Sequence, residues 1–565
     1  MYVDTSTVRS AKGNSYTRHL LRESYREEGK VKHRTIANLS HCKPEEIEAL
    51  RLALRHKKDL AALVNLKDDL RIEQGLSVGA VWTVFEVARR LGIAAALGST
   101  RAGKLALWQV IARVIDQGSR LSAVRLAGSH AACDILKLEK FNEDHLYENL
   151  DWLCENQTKI EDRLFVQHQG KPDNETKQRL FLYDVTSSYL EGTENELAAF
   201  GYNRDQKKGK RQIVIGLLCD ETGMPLSVEV FKGNTRDPNT FAAQVSKVAK
   251  RFGGGEVTFV GDRLPVLWTQ TGGMIKSGQI EELNREGFHY ITAITKPQIN
   301  SLLNSGVIQM GLFEQQLAEV ETSEGIRYVL RRNPIRAAEV ARSRQDKLQA
   351  IQREADRLNL YLAEHRRAQV EVARGKVQAK IERLRLSGWL RVTAKGREIL
   401  LNEDSAALTE EAKLDGCYVL KTDLSSRVAS KETIHDRYKD LALVEWAFRT
   451  SKTVNLEVRP VHVRTALHTR GHVLVVMLSY LIIAELARCW QESEVTVDEG
   501  IKQLDTLCAT QLLINGKVRC NQIPQPRPLL QQLLDAAQVP LPEVLPSKGV
   551  RVTTKKKLAP RRKKR

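Results

Sequence analysis

The chain has 565 residues, of which 42% are hydrophobic, so three or more domains with large cores are expected. Lys and Arg number 88 against 69 Asp and Glu, a formal charge of +19, which favours a polyanionic partner, nucleic acid ahead of anionic membrane. The eight cysteines contain no Cys-x-x-Cys pair and the N-terminus MYVDTSTVRS has no apolar stretch, which argues against a zinc knuckle, against a signal peptide and for free thiols in a reducing, cytoplasmic compartment.

In chain order, residues 1–43 alternate like strands and predict a small β segment. Residues 44–170 turn helical. KPEEIEALRLALRHKKDLAALVNL is amphipathic with Pro and acidic residues at its start, and VWTVFEVARRLGIAAALGS and KLALWQVIARVIDQGSRLSAVRLAG follow. Short helices with basic ends suit a DNA-end-binding domain of helix-turn-helix type; an ordinary helical domain is the plainer reading. Residues 178–296 carry strands RLFLYDVTSSYLEG, RQIVIGLLCDETG and PLSVEVFKGNTRD, then a helix, the strand EVTFVGDR, a second helix and the strand FHYITAIT. The order β-β-β-α-β-α-β is the ribonuclease H-like topology, in which the first and fourth strands can lie side by side.

Residues 297–425 interrupt this pattern. Leu348, Ile351, Ala355, Leu358 and Leu362 step by three and four, as do Val370, Ala373, Val377, Ile381 and Leu384. The stepping predicts a long helix or helical hairpin that projects from the body, either to clamp a duplex or a second subunit or simply as a solvated pair. SGWLRVTAKGREILLNEDSAA and LDGCYVLKTDL return to strand. Residues 426–515 resume the core with helices. Their most apolar stretch, 473–487, is short for a membrane span and reads as a buried core helix. Residues 516–565 are Pro-rich and then basic, with ten Lys or Arg and no acid after Glu543. This predicts a disordered tail that neutralises phosphates.

Three carboxylates stand out against this frame. Asp184 interrupts the apolar run RLFLYDVTSSYL, Asp262 ends VTFVGDR, and Glu445 lies within YKDLALVEWAFRTSK. A carboxylate in a buried strand is costly unless a cation compensates it, and a shared pair of divalent metals is the simplest cation. On one helix spanning 438–452, Tyr438, Leu441, Glu445, Arg449 and Lys452 fall within about 80° of each other. A surface helix with a Glu445–Arg449 pair would look the same in isolation.

YDVTSSYLEG, VGDR, GFHYITAIT, GCYVLKTD and the spacing of Tyr438, Glu445 and Lys452 resemble the DDE transposases of bacterial insertion sequences. The resemblance is nearest to the insertion-sequence-four superfamily, with its Tyr-Arg-Glu-Lys signature, and within it to the sixteen-thirty-four group. It covers roughly residues 80–490 and depends on the ordered set of motifs. It implies an α/β fold: a ribonuclease H-like catalytic core, a mainly helical N-terminal domain, and a long insertion of helices and strands before the catalytic Glu. Two departures stand out. Leu441 occupies the signature Arg position, leaving Arg449 as a substitute. Residues 264–272, LPVLWTQTG, separate Arg263 from Gly273 where the family runs on directly. That insert reads as a tolerated loop, as a DNA contact through Trp268, or as a lesion that disables the enzyme.

The resemblance implies metal-dependent cleavage at insertion-sequence ends and strand transfer into target DNA. Asp184, Asp262 and Glu445 would be the catalytic residues and would hold two Mg2+ (or Mn2+). Tyr438, Arg449, Lys452, Arg263 and Trp268 would contact DNA. The partners would be double-stranded DNA, as terminal inverted repeats and target, and a second copy of the chain in the DNA complex. No membrane is expected, and the site of action would be the bacterial cytoplasm, at the nucleoid. The rival readings are a metal-dependent nuclease without strand joining and a catalytically inactive DNA-binding relative.

Overall fold

The computed structural model describes residues 1–9, 15–55, 57, 70–169, 179–202, 204–205, 207, 209–252, 257–261, 277–452, 456, 458, 461–514, 517–547, 549–552 and 554. The chain divides into two compact units. One comprises Met1–Thr83, Ala127–Leu138 and Gly500–Arg551; the other comprises Val84–Leu126, Glu139–Glu499 and Val552–Arg565.

Sixteen strands are described. β1 (Tyr2–Arg9), β2 (Ser15–Glu27), β3 (Lys30–Asn38) and β4 (Leu70–Ser77) come first. β5 (Arg179–Tyr189), β6 (Gln212–Cys219), β7 (Pro225–Lys232), β8 (Val257–Gly261) and β9 (His289–Ala293) follow. Next are β10 (Ala318–Glu321), β11 (Arg327–Arg332), β12 (Leu390–Lys395), β13 (Glu398–Glu403) and β14 (Cys417–Thr422). β15 (Cys508–Ile514) and β16 (Lys517–Gln522) close the series.

In the first unit β1, β2 and β3 form an antiparallel sheet with β2 in the middle. A second sheet has the order β16-β15-β4. Two sequence expectations change here. The segment 44–170 is not purely helical, because LRIEQGLS forms β4. Its partner β15 lies far along the chain, so local pattern could not reveal it. Nor is everything beyond 516 disordered. β16 pairs with β15, and the Pro528–Ala536 helix buries Leu530, Leu533 and Leu534 at helical spacing behind a Pro in its first turn.

In the second unit an eight-stranded mixed sheet has the order β10-β11-β14-β9-β8-β5-β6-β7. β5 runs parallel to β8, and β8 to β9; the other neighbours are antiparallel. The expected adjacency of the first and fourth strands of 178–296 is therefore observed. The β6–β7 hairpin turns where Asp220 Oδ1 accepts from the N–H groups of Thr222 and Met224, with Gly223 at φ 79°.

One face of this sheet packs Phe181, Tyr183, Val185 and Phe259 against Phe241 and Val245 of the Asp237–Lys247 helix and Leu283 of the Ser277–Arg285 helix. Gly216 of β6 makes room for Tyr183. A Cβ there would lie 2.3 Å from the phenol oxygen. The other face meets the helices Leu441–Lys452 and Ala466–Cys489. The latter, at 24 residues, is longer than its apolar stretch suggested and could cross a membrane by length and composition alone. Its apolar window is 72% buried within the protein, packed on the helices Glu143–Gln169 and Arg101–Ile115 and on β7.

The expected helical hairpin is present as the helices Pro334–Glu364 and Val370–Leu384. It does not simply project as a solvated pair. Ile351, Leu358, Val377 and Ile381 form a core with Trp389 and Ile399, beside the β12–β13 hairpin. β10, β11 and β14 of the same segment extend the large sheet instead.

Candidate functional site

Asp184 sits near the middle of β5, opposite Leu217 of β6, and is only 6% exposed. Its Oδ1 accepts from the Val185 N–H at 2.7 Å. Side chains alternate along a strand, so Asp184 shares a face with Thr186, away from the Phe181–Tyr183–Val185 core. Thr186 and Leu217 line a small cavity of about 30 Å³ together with Phe448, Lys452, Met477 and Tyr480. Asp184 thus lies on the sheet face that the Leu441–Lys452 helix covers.

Glu445 is on that helix and is exposed. Residues seven apart on a helix nearly superimpose in projection, so Glu445 shares its line with Lys452, which reaches the Thr186 cavity. The two carboxylates therefore stand on facing elements. Asp262, Arg263 and Trp268, with the whole 264–272 insert, lie outside the described residues. The described chain stops one residue short, at Gly261 of β8, which is in parallel register with Tyr183. Both Gly261 and Tyr183 immediately precede an aspartate in sequence. Among the described residues no cluster of three metal-ligating side chains occurs.

The single polar stripe expected over 438–452 is broken. Tyr438, half-buried, belongs to the Lys431–Lys439 helix, which ends at Asp440. The Asp440 carbonyl accepts from Leu443 N–H at 2.9 Å, a tighter i+3 bond that restarts the helix, while its carboxylate pairs with Arg437 at 3.6 Å. Burial raises the Asp440 carboxyl above the usual carboxylate range, against the pull of Arg437. Leu441 is one turn before Glu445 on the same helix. It is 6% exposed and joins Val444, Ala447 and Phe448 in the core. An apolar residue fits this position because the helix turns that edge inward, so the signature Arg has no place here. Arg449, one turn after Glu445, is exposed.

Lys452 does not stand open to solvent. Its Nζ pairs with Asp205 Oδ1 at 3.0 Å, the two side chains being 10% and 1% exposed. Asp205 Oδ2 also accepts from the Tyr189 N–H at 3.1 Å, and the Arg204 N–H donates to Ser187 Oγ at 2.8 Å. These bonds fasten the connection between β5 and β6 to the end of β5 and to the helix that carries Glu445. A second set holds the same connection further along. Asn195 donates to the Val463 carbonyl and to Thr469 Oγ1, and Glu196 accepts from Ala466 N–H. Sequence reasoning missed Asp205. The signal was a lone acid in the basic run RDQKKGKR, where an Asp persists most simply by pairing with a buried cation.

Carboxylate oxygens are the preferred ligands of hard divalent cations, and Asp184 is a buried carboxylate in an apolar sheet. Two family models match the chain. The IS1634 family transposase N-terminal domain matches residues 3–63, and the transposase DDE domain matches residues 175–482. A search of curated proteins finds no match. The DDE match spans more than half the chain and contains the sheet, both described carboxylates and the Leu441–Lys452 helix, and with the N-terminal match it establishes that the chain belongs to the IS1634 family of DDE transposases.

Proposed function

We propose that this transposase cleaves DNA at insertion-sequence ends and joins those ends to target DNA, with Asp184, Asp262 and Glu445 as its catalytic carboxylates. The observation that carries this reading is the register of β5 and β8. It ends the described part of β8 beside the residue before Asp184, on a sheet whose covered face carries the Glu445 helix. The order β7-β6-β5-β8-β9, with β5, β8 and β9 parallel and β6 antiparallel to its neighbours, supports a ribonuclease H-like core. In this reading residues 297–425 are the insertion before the Glu helix.

The three carboxylates would hold two Mg2+ or Mn2+ ions, which when bound supply Lewis-acid activation and charge stabilisation for phosphoryl transfer. The chain's own contribution is to fix the carboxylates. Asp184 is set by a strand paired on both sides, and Glu445 by a helix whose adjoining edge is locked in the core. Arg449 is exposed one turn beyond Glu445, where it would contact a phosphate, and Tyr438 would flank the DNA from the preceding helix. Lys452 would act at one remove, by holding the 204–205 connection. Arg263 and Trp268 remain candidate DNA contacts next to Asp262. The substrate would be double-stranded DNA, with two copies of the chain on paired ends, acting in the bacterial cytoplasm.

The test is a joining assay with purified protein, Mg2+ and duplexes cut from the DNA that flanks the gene. Strand-transfer products into a plasmid support the reading. Nicking without joining favours a nuclease, and binding without nicking favours an inactive relative.

A further inference from the structure

We propose that one face of the β1–β2–β3 sheet is a docking surface for duplex DNA, with the middle strand β2 supplying the phosphate contacts. The proposal rests on reading the chain as a DNA transposase, but it moves end binding from the helical segment to the sheet. In β2 the even-numbered residues Tyr16, Arg18, Leu20, Arg22, Ser24 and Arg26 share one face. The register puts Tyr2 beside Arg22, Ser6 beside Arg18 and Val31 beside Arg26 on that face. Three arginines therefore repeat every fourth residue along the central strand. At about 3.4 Å per residue they are about 14 Å apart, close to the ~12 Å width of the major groove, which admits β-sheet readers.

Within β2 the charges are sorted: its arginines share the even face and its acids, Glu23 and Glu27, the odd one. On the opposite face Lys32 pairs with Glu27 at 2.7 Å and Arg34 with Glu23 at 2.6 Å, while Arg9 and Lys30, at its margins, make no ion pair among the described residues. The even face holds one acid in its strands, Asp4, which pairs with Arg22 at 2.9 Å. Arg18 and Arg26 are exposed and make no ion pair among the described residues. The Pro44–Arg55 helix belongs to the opposite face, since Arg51 donates to Thr5 Oγ1, and Thr5 stands beside His19. On the even face Tyr16 is 51% exposed, at the end of the arginine row next to Arg18. A row of exposed guanidinium groups that ends in an exposed aromatic ring complements a phosphate backbone with base edges beside it.

The test uses the full-length protein with flanking-DNA duplexes and a scrambled duplex, in salt titrations. R18Q/R26Q and K32Q/R34Q each remove two positive charges, so a bulk-charge effect would be the same for both. The proposal expects R18Q/R26Q to weaken binding about tenfold and to lower the slope of log affinity against log salt by about 2 units. K32Q/R34Q should stay close to wild type. A photocrosslinking residue at Tyr16 should capture DNA, and one at Tyr25, on the other face, should not. Equal losses in the two double variants, or capture from position 25 alone, overturn the face assignment. A wild-type protein that binds neither duplex contradicts the transposase reading itself. Capture of a second copy of the chain at Tyr16 in place of DNA overturns the proposed occupant.

Discussion

Replacing Lys452 by Met tests whether this lysine serves the fold or the DNA. The substitution keeps length and removes the ammonium that faces Asp205 at 3.0 Å. Asp205 would keep the Tyr189 N–H at 3.1 Å, but its carboxylate, 1% exposed, would lose the Lys452 ammonium. Breaking a buried pair from one side costs about 3–5 kcal/mol, because the remaining charge stays desolvated. The cost should fall first on the 204–205 connection. Protection of the Tyr189 and Arg204 amides in DNA-free protein should drop by about two to four orders of magnitude, read by hydrogen exchange. Adding Asp205→Asn removes the stranded charge and should restore at least about 1 kcal/mol of that loss, a coupling visible in a double-mutant cycle. If Lys452→Met left amide protection unchanged but weakened DNA binding, the lysine would be a direct phosphate contact, and the assignment to Asp205 would be wrong.

Deleting residues 264–272 should preserve or raise strand transfer, because it restores the uninterrupted join of Arg263 to Gly273; a folded but inactive deletion would make the insert an essential DNA contact. Val552 is buried and Thr554 donates to Glu143, so the tail should be cut after 554. The eight Lys and Arg of 555–565 should then contribute to all DNA alike. If half engage phosphates, the truncation lowers the salt slope by about 4 units, equally on flanking and scrambled DNA. A loss confined to flanking DNA would make the tail a sequence reader. Burial, then Arg113 and Arg120, hold the His472 imidazole well below its ordinary range, and its Nδ1 accepts from Arg120 at 3.1 Å. The unfolded chain takes up that proton first, so stability should be full above about pH 6.5 and fall as the pH drops below it. His472→Gln should flatten that part of the acid denaturation profile, and an unchanged profile would show that another group governs it.

What was legible in the sequence was local. The run of strands and helices over 178–296 follows from apolar runs separated by Asp-Glu-Thr-Gly and similar turns, and the first and fourth of these strands are neighbours, as that order allowed. The steps of three and four in Leu348–Leu362 and Val370–Leu384 became a helical hairpin. Non-local pairing was not legible. β4 depends on β15, more than four hundred residues away, and looks like a polar interruption by itself. The wheel over 438–452 failed because it assumed an unbroken helix. One Asp440 carbonyl with an i+3 bond was enough to move Tyr438 to another helix, while Leu441 is buried although it shares a helix with Glu445. Asp205 escaped notice because its meaning depends on Lys452, brought to it only by the packed sheet and helix.

The central claim is that Asp184, Asp262 and Glu445 form one metal-dependent centre, and isosteric loss of each carboxylate tests it most directly. Asp184→Asn, Asp262→Asn and Glu445→Gln remove a ligand charge while keeping shape. Each variant should be measured for Mg2+-dependent cleavage of flanking-DNA duplexes, alongside DNA affinity and thermal stability of the same preparation. The account predicts that all three abolish cleavage while affinity stays near wild type. Near-wild-type cleavage by any one of them, in a protein that binds DNA and folds normally, would contradict it.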